Sequence, residues 1–207
     1  MALDGGFLHI LKIEIEAALV GARVEKLHMP SRDELVFSFG SARTKKKLFL
    51  SASPSSAKIC LAEEDVENPL SPPMLCMLFR KHLGNARLIG LSQQGLDRIL
   101  TLTFEGTNEL MDPCQYHLIC ELMGRHSNVI LTDEQYRIID SVRRITPDIS
   151  SVRCVLPGLL YTSPPAQAKD VYKRQIRNLL NKLLKLFHLR RIAVRLFKRI
   201  ILNRSSF

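Results

Sequence analysis

The sequence has no tryptophan, and only 6% of its 207 residues are aromatic. It has five cysteines, Cys60, Cys76, Cys114, Cys120 and Cys154. The number is odd and includes no CxxC pair, a pattern that does not suit an oxidising compartment and points to the cytoplasm. No G-x-S-x-G, P-loop or GxGxxG stretch occurs, which removes the common nucleophile-elbow and nucleotide-binding readings. The first apolar run, MALDGGFLHILKIEIEAALVG, lacks a basic start and is interrupted by Glu14 and Glu16. It reads as neither a secretory signal nor a membrane span.

Charge of one sign is also missing from most of the chain. Residues 1–169 carry 19 Lys+Arg and 19 Asp+Glu, whereas residues 170–207 carry 11 Lys+Arg and a single acid, Asp170. The formal net charge of +10 therefore belongs to the tail, and any nucleic-acid binding by the body must rest on local patches. Two readings of the tail are open, and the second is the stronger. Ile176, Leu179, Leu180, Leu183, Leu184 and Phe187 follow helical spacing among basic residues, as in a basic amphipathic helix for RNA or a membrane surface. Residues 170–175, DVYKRQ, also correspond to the translation of a common sequencing-library transposon end. On that reading 170–207 is an assembly junction outside the domain 1–169.

The periodicity predicts a helix over residues 6–20, capped by Asp4, with Phe7, Ile10, Leu11, Ile15, Ala18 and Leu19 on its core face. A second helix is predicted in ENPLSPPMLCMLFRKHLGN, with Ser71 as cap and Met74, Leu75, Leu78 and Phe79 inward. Eight or nine short strands are predicted around it, separated by Gly, Pro and Ser clusters. Two helices and locally connected strands predict an α+β fold, an antiparallel sandwich or barrel-like sheet with helices at its side.

Two polar stretches interrupt the apolar pattern. QQGLDRI, residues 93–99, puts Asp97 and Arg98 just after Gly95, where a glycine permits a tight turn of positive φ. A guanidinium near a carboxylate can be aimed at a phosphate or a base edge, although surface charge pairs are commonly just solvated. ELMGRHSNVILTD places Gly124, Arg125, His126, Ser127 and Asn128 between two apolar runs. Such donors suit phosphate oxygens or a sugar hydroxyl, and they also suit a plain hairpin turn. Cys114, His117 and Cys120 provide three metal ligands at most and do not converge in a strand, so no metal site is expected.

These stretches, together with VLPGLLYTSPPAQAK, resemble the NFACT N-terminal domain of RqcH proteins, the fibronectin-binding protein A-like family, across residues 1–169. The resemblance implies a ribosome-associated quality control factor that binds stalled large ribosomal subunits and recruits alanyl-tRNA for template-free alanine tailing. It would act as a monomer, without a cofactor, catalytic residue or membrane partner. It implies that Asp97 and Arg98, with Asp4, engage tRNA, and that Arg125, His126, Ser127 and Asn128 belong to the same surface. It also implies likeness to the N-terminal domain of formamidopyrimidine-type DNA glycosylases, and hence a rival lyase reading. This chain begins Met-Ala-Leu-Asp rather than with the family's catalytic Pro-Glu. A surface fibronectin-binding adhesin is the other alternative.

Overall fold

The computed structural model describes residues 4–41, 44–62 and 67–164. The tail, the boundary at residue 169 and the first three residues lie outside the described residues. Helix α1 (Gly5–Leu19) is followed by strands β1 (Arg23–His28), β2 (Glu34–Ser41), β3 (Thr44–Ser51) and β4 (Lys58–Ala62). Helix α2 (Met74–Leu83) then leads into β5 (Arg87–Ser92), β6 (Ile99–Thr107), β7 (Pro113–Glu121), β8 (Asn128–Asp133) and β9 (Ile138–Ser141). The nine strands form one antiparallel sheet in the order β4-β3-β2-β1-β5-β6-β7-β8-β9. This is the α+β architecture that the sequence predicts.

Strand pairing is sparsest in the middle of the sheet. β1 and β5 share only the Arg23–Arg87 pairing, whereas β6 and β7 pair in register from Ile99–Glu121 to Thr107–Pro113. The two halves fold towards each other over one core. Phe37 and Phe39 of β2 stack on Phe104 of β6 with ring centroids 6.2 and 6.5 Å apart. Alternation along β2 sends these rings inward and Ser38 and Gly40 outward. β8 is buried along nearly its whole length, because both its faces are covered. Val129 and Leu131 join the main core, and Ile130 lies with Ile119, Ile138 and Val155 in a second cluster. The segment after β9 closes over that cluster, with Ile145 and Val155 exchanging both backbone hydrogen bonds at 3.0 and 2.8 Å.

Both helices differ from expectation in the face they bury. α1 turns Leu8, Ile15 and Leu19 inward and leaves Phe7 and Ile10 exposed. It has apolar residues on several sides, so periodicity alone does not select one. α2 buries Cys76, Phe79 and Leu83, while Met74 is exposed. Its cap position is Pro73, which makes no side-chain cap bond, rather than Ser71. Two consecutive prolines shift the start, since the backbone preceding each proline is driven out of the α region.

Candidate functional site

Three sequence motifs far apart in the chain meet at one end of the sheet. The first is the start of α1. Asp4 accepts the Phe7 N–H at 2.7 Å, satisfying one of the unpaired donors of the first turn. Gly5 is buried against the β5–β6 turn, so closely that a Cβ there would lie 1.7 Å from the Leu96 carbonyl oxygen. Only glycine fits this contact.

The second motif is the β5–β6 turn itself. Gly95 has φ +57°, and the Asp97 N–H donates to the Gln94 carbonyl at 3.1 Å. Gln93 fastens the turn to the helix. Its Nε2 donates to the Gly5 carbonyl at 2.9 Å and to the Asp97 carbonyl at 2.8 Å, while its Oε1 lies 3.2 Å from Nδ1 of His9. Asp97 and Arg98 are half-buried, and both make interactions within the chain.

The third motif is the β7–β8 turn. The Arg98 carbonyl accepts the Leu122 N–H at 2.8 Å, tying the second motif to the third. Gly124 has φ +61° and opens a 3-10 turn over Gly124–His126. The turn presents Arg125 and His126 to solvent, with Arg125 Nε donating to His126 Nε2 at 3.1 Å. Ser127 and Asn128 are buried. Ser127 Oγ accepts the Met123 N–H at 2.9 Å. Asn128 Oδ1 accepts the Arg143 N–H at 2.9 Å, and its Nδ2 donates to the Arg143 carbonyl at 2.8 Å. Neither of these two side chains is presented to solvent. Their polar atoms hold the loop from inside, as a buried donor or acceptor must be satisfied.

The structure therefore gathers Asp4, Asp97, Arg98, Arg125 and His126 at one end, and places Ser127 and Asn128 beneath them. It also shows supports that sequence reasoning missed. Arg143 donates to the Arg125 carbonyl at 3.2 Å, to the Asp33 carboxylate at 3.1 Å and to the Ala52 carbonyl at 3.0 Å. It joins the two halves of the sheet just behind the exposed turn. Glu121, the last residue of β7, is buried and accepts two bonds from Arg153, at 3.0 and 2.5 Å, and one from the Tyr161 hydroxyl at 2.9 Å. Burial, with the Glu121 carboxylate next to it, pushes the Tyr161 hydroxyl far above its ordinary pKa, so it stays protonated as a donor. A charged residue inside an apolar strand, as in CELM, was the available signal for Glu121. Gln93 and Arg143 stand in turns and carried none.

Of the three β7 residues weighed as metal ligands, Cys120 is in the core and its thiol pKa is raised by burial. His117 lies on the other face, stacked on Tyr136 at 4.4 Å. Among the described residues no group of three His, Cys, Asp or Glu is placed to hold a metal ion. No described helix is long and apolar enough to cross a membrane.

A family model described as NFACT N-terminal and middle domains matches residues 4–201. The Rqc2 homolog RqcH of Bacillus subtilis (strain 168) is 39% identical over 170 residues, covering 82% of this chain and 30% of that protein. The ribosome quality control complex subunit NEMF of Homo sapiens is 30% identical over 146 residues, covering 70% of this chain and 13% of that protein. The solved N-terminal domain of fibronectin-binding protein PavA from Streptococcus pneumoniae is 37% identical. It matches with a TM-score of 0.75 and covers 78% of this chain and 62% of that one. The chain thus spans about 30% of the length of the RqcH protein it matches.

Proposed function

The chain belongs to the family of NFACT N-terminal and middle domains, and from that premise we propose that it is the tRNA-engaging part of a ribosome-associated quality control factor. On this reading the longer protein binds a stalled large ribosomal subunit and recruits alanyl-tRNA for template-free alanine tailing. The domain makes no bond itself; peptide transfer belongs to the ribosome. It acts in the cytoplasm, as a monomer, without a cofactor.

The observation that carries the proposal is the convergence of Asp4, the Asp97–Arg98 turn and Arg125–His126 through the Gln93 clamp and the Arg98–Leu122 hydrogen bond. Arg125 and His126 are exposed donors suited to phosphate oxygens or to the edges of unpaired bases, where RNA is read. Asp97 and Arg98 shape the adjoining wall, and Ser127 and Asn128 keep the turn rigid. Few cations are involved, so the salt dependence of this site should be modest, about −0.7 to −0.9 in log K per log salt for each phosphate contact.

The test is a comparison of the Asp97→Ala/Arg98→Ala and Arg125→Ala variants with the parent chain, by alanyl-tRNA binding at fixed salt. Both should keep the parent's circular dichroism and melting behaviour and bind at least ten-fold more weakly. Unchanged binding in both sinks the assignment. PavA is described as fibronectin-binding, and that favours a second reading, an adhesin. Fibronectin binding that survives in these variants while tRNA binding was never present would select it. A lyase reading would need the amine of Ala2 and is checked by borohydride trapping on an abasic-site duplex, where no covalent adduct is expected.

A further inference from the structure

The outer face of β1, β2 and β3 carries a second, differently built surface. Residues directly opposite on neighbouring strands share a face. Arg23 of β1 stands opposite Gly40 of β2, which stands opposite Lys45 of β3. Lys26, Ser38 and Lys47 form a parallel row, and Arg87 of β5 extends the first row beyond Arg23. Arg23, Lys26, Lys45 and Arg87 are exposed. With strands about 4.8 Å apart and about 6.8 Å per two residues, the rows make a grid of cations with small residues down its middle. None of those four exposed cations makes an ion pair among the described residues.

One carboxylate occupies the middle of the grid, and a second, Glu105 of β6, stands opposite Arg87 at its edge. A bulge between Val24 and Lys26 gives β1 an extra residue, and this puts Glu25 on the same side. A Cβ on Gly40 would lie 1.7 Å from Glu25 Oε1, so the glutamate side chain lies across the glycine. Glu25 is thus an anion on the cationic face that a bound phosphate would have to avoid or displace.

We propose that this β1–β2–β3 face binds the phosphate backbone of structured RNA, independently of base sequence and apart from the Asp97–Arg125 end. The two surfaces lie at opposite ends of the strands, since Arg23, Gly40 and Lys45 share an end with Glu105 and Gln115, and Arg98 and Arg125 flank the other. Phosphate, not base, is the recognised group because the face has no exposed aromatic ring on which a base could stack. Its one ring, Phe49, is buried with Lys58 Nζ 4.7 Å above it. RNA is favoured over an acidic protein because protein partners need apolar or aromatic anchors that become desolvated, and the grid has none.

The test titrates the full chain with a fluorescent 20-base-pair RNA hairpin of arbitrary sequence at several salt concentrations. Lys26→Glu/Lys45→Glu should reduce the magnitude of the log K–log salt slope by about 1.4–1.8, the equivalent of two phosphate contacts. Glu25→Gln should bind the hairpin about two- to five-fold more tightly, the range open to one exposed charge. Cross-links from 4-thiouridine in the hairpin should fall within residues 23–28 and 44–48. Asp97→Ala/Arg98→Ala should bind this hairpin within two-fold of the parent, which keeps the result separate from the alanyl-tRNA site. The proposal is overturned if the charge-reversed pair leaves the slope unchanged, if Glu25→Gln gains nothing, or if cross-links fall only in residues 170–207. Equal loss in the Asp97/Arg98 variant, or displacement of the hairpin by polyglutamate at equal charge concentration, overturns it as well.

Discussion

Asn128 pairs through its side-chain amide with both backbone groups of Arg143, accepting the N–H at 2.9 Å and donating to the carbonyl at 2.8 Å. A strand residue normally satisfies its neighbour's backbone with its own. Here a side chain does so beyond the end of β9, and it fixes the residue whose guanidinium then reaches Arg125, Asp33 and Ala52. The exposed Arg125–His126 turn inherits its rigidity from this arrangement.

Replacing Asn128 by Ala should therefore lower stability by about 1–3 kcal/mol, the cost of leaving buried polar partners unsatisfied. That is a fall of several degrees in melting temperature for a chain of this size. Asn128→Asp sets a buried carboxylate oxygen against the Arg143 carbonyl oxygen, so at neutral pH it should be at least as destabilising as Ala. Calorimetry of the three proteins checks the order. An Asn128→Ala protein that melts with the parent would remove the argument for this residue.

The Glu121–Arg153 pair gives a different pattern. Both side chains are nearly solvent-free, at 1% and 10% exposure, and Arg153 Nε is buried without a hydrogen-bond partner. Breaking such a pair from one side leaves an uncompensated charge and costs about 3–5 kcal/mol, whereas replacing both partners by apolar residues is often close to neutral. Arg153→Met alone should be strongly destabilising in urea titrations, and Glu121→Leu/Arg153→Met should recover most of the loss. A double variant as unstable as the single one would show that the ion pair itself is needed.

The strand count and local connections were legible because β-rich runs alternate with Gly, Pro and Ser clusters, and the positive φ at Gly95 was legible from the turn motif. The buried face of α1 was not, since Phe7 and Ile10 have the same periodicity as Leu8 and Ile15 and only tertiary packing separates them. The polar cluster after Met123 could be found but not divided. Exposed Arg125 and buried Asn128 are three residues apart in one polar run, and burial is decided by Arg143, which approaches from fifteen residues further on. The Gln93 clamp depends on a helix start 88 residues away in sequence, and no local pattern encodes it.

Acid should weaken the fold through its histidines. Burial holds His117, His82 and His28 below their ordinary pKa of 6.5, with Arg80 adding to the effect at His28 and Lys81 at His82. A histidine whose pKa is lower when folded binds its proton more readily in the unfolded chain, so stability is full above pH 6.5 and is lost as pH falls below it. Urea midpoints should drop between pH 7.5 and 5.5. His117→Gln, which removes the buried ring between Thr103 and Tyr136, should flatten part of that drop. A midpoint independent of pH over this range contradicts the prediction.

The contact between Gly5 and Leu96 provides the sharpest separation of site geometry from helix stability. A methyl group at Gly5 would collide with a backbone carbonyl, at 1.7 Å, and cannot be relieved by rotating a side chain. Gly5→Ala must push α1 and the β5–β6 turn apart, costing about 1–3 kcal/mol as overpacking does and pulling the Gln93 amide off the Gly5 carbonyl. Gly6 is the natural control, because a Cβ there meets nothing closer than Asp4 Oδ1 at 3.5 Å. Gly6→Ala should be neutral or stabilising by up to about 1 kcal/mol, the usual gain of alanine over glycine in a helix. Alanyl-tRNA binding, measured well below either melting point, should fall in Gly5→Ala and hold in Gly6→Ala. If both bind as the parent does, the placement of Asp97 against the start of α1 has no part in recognition, whatever it does for stability.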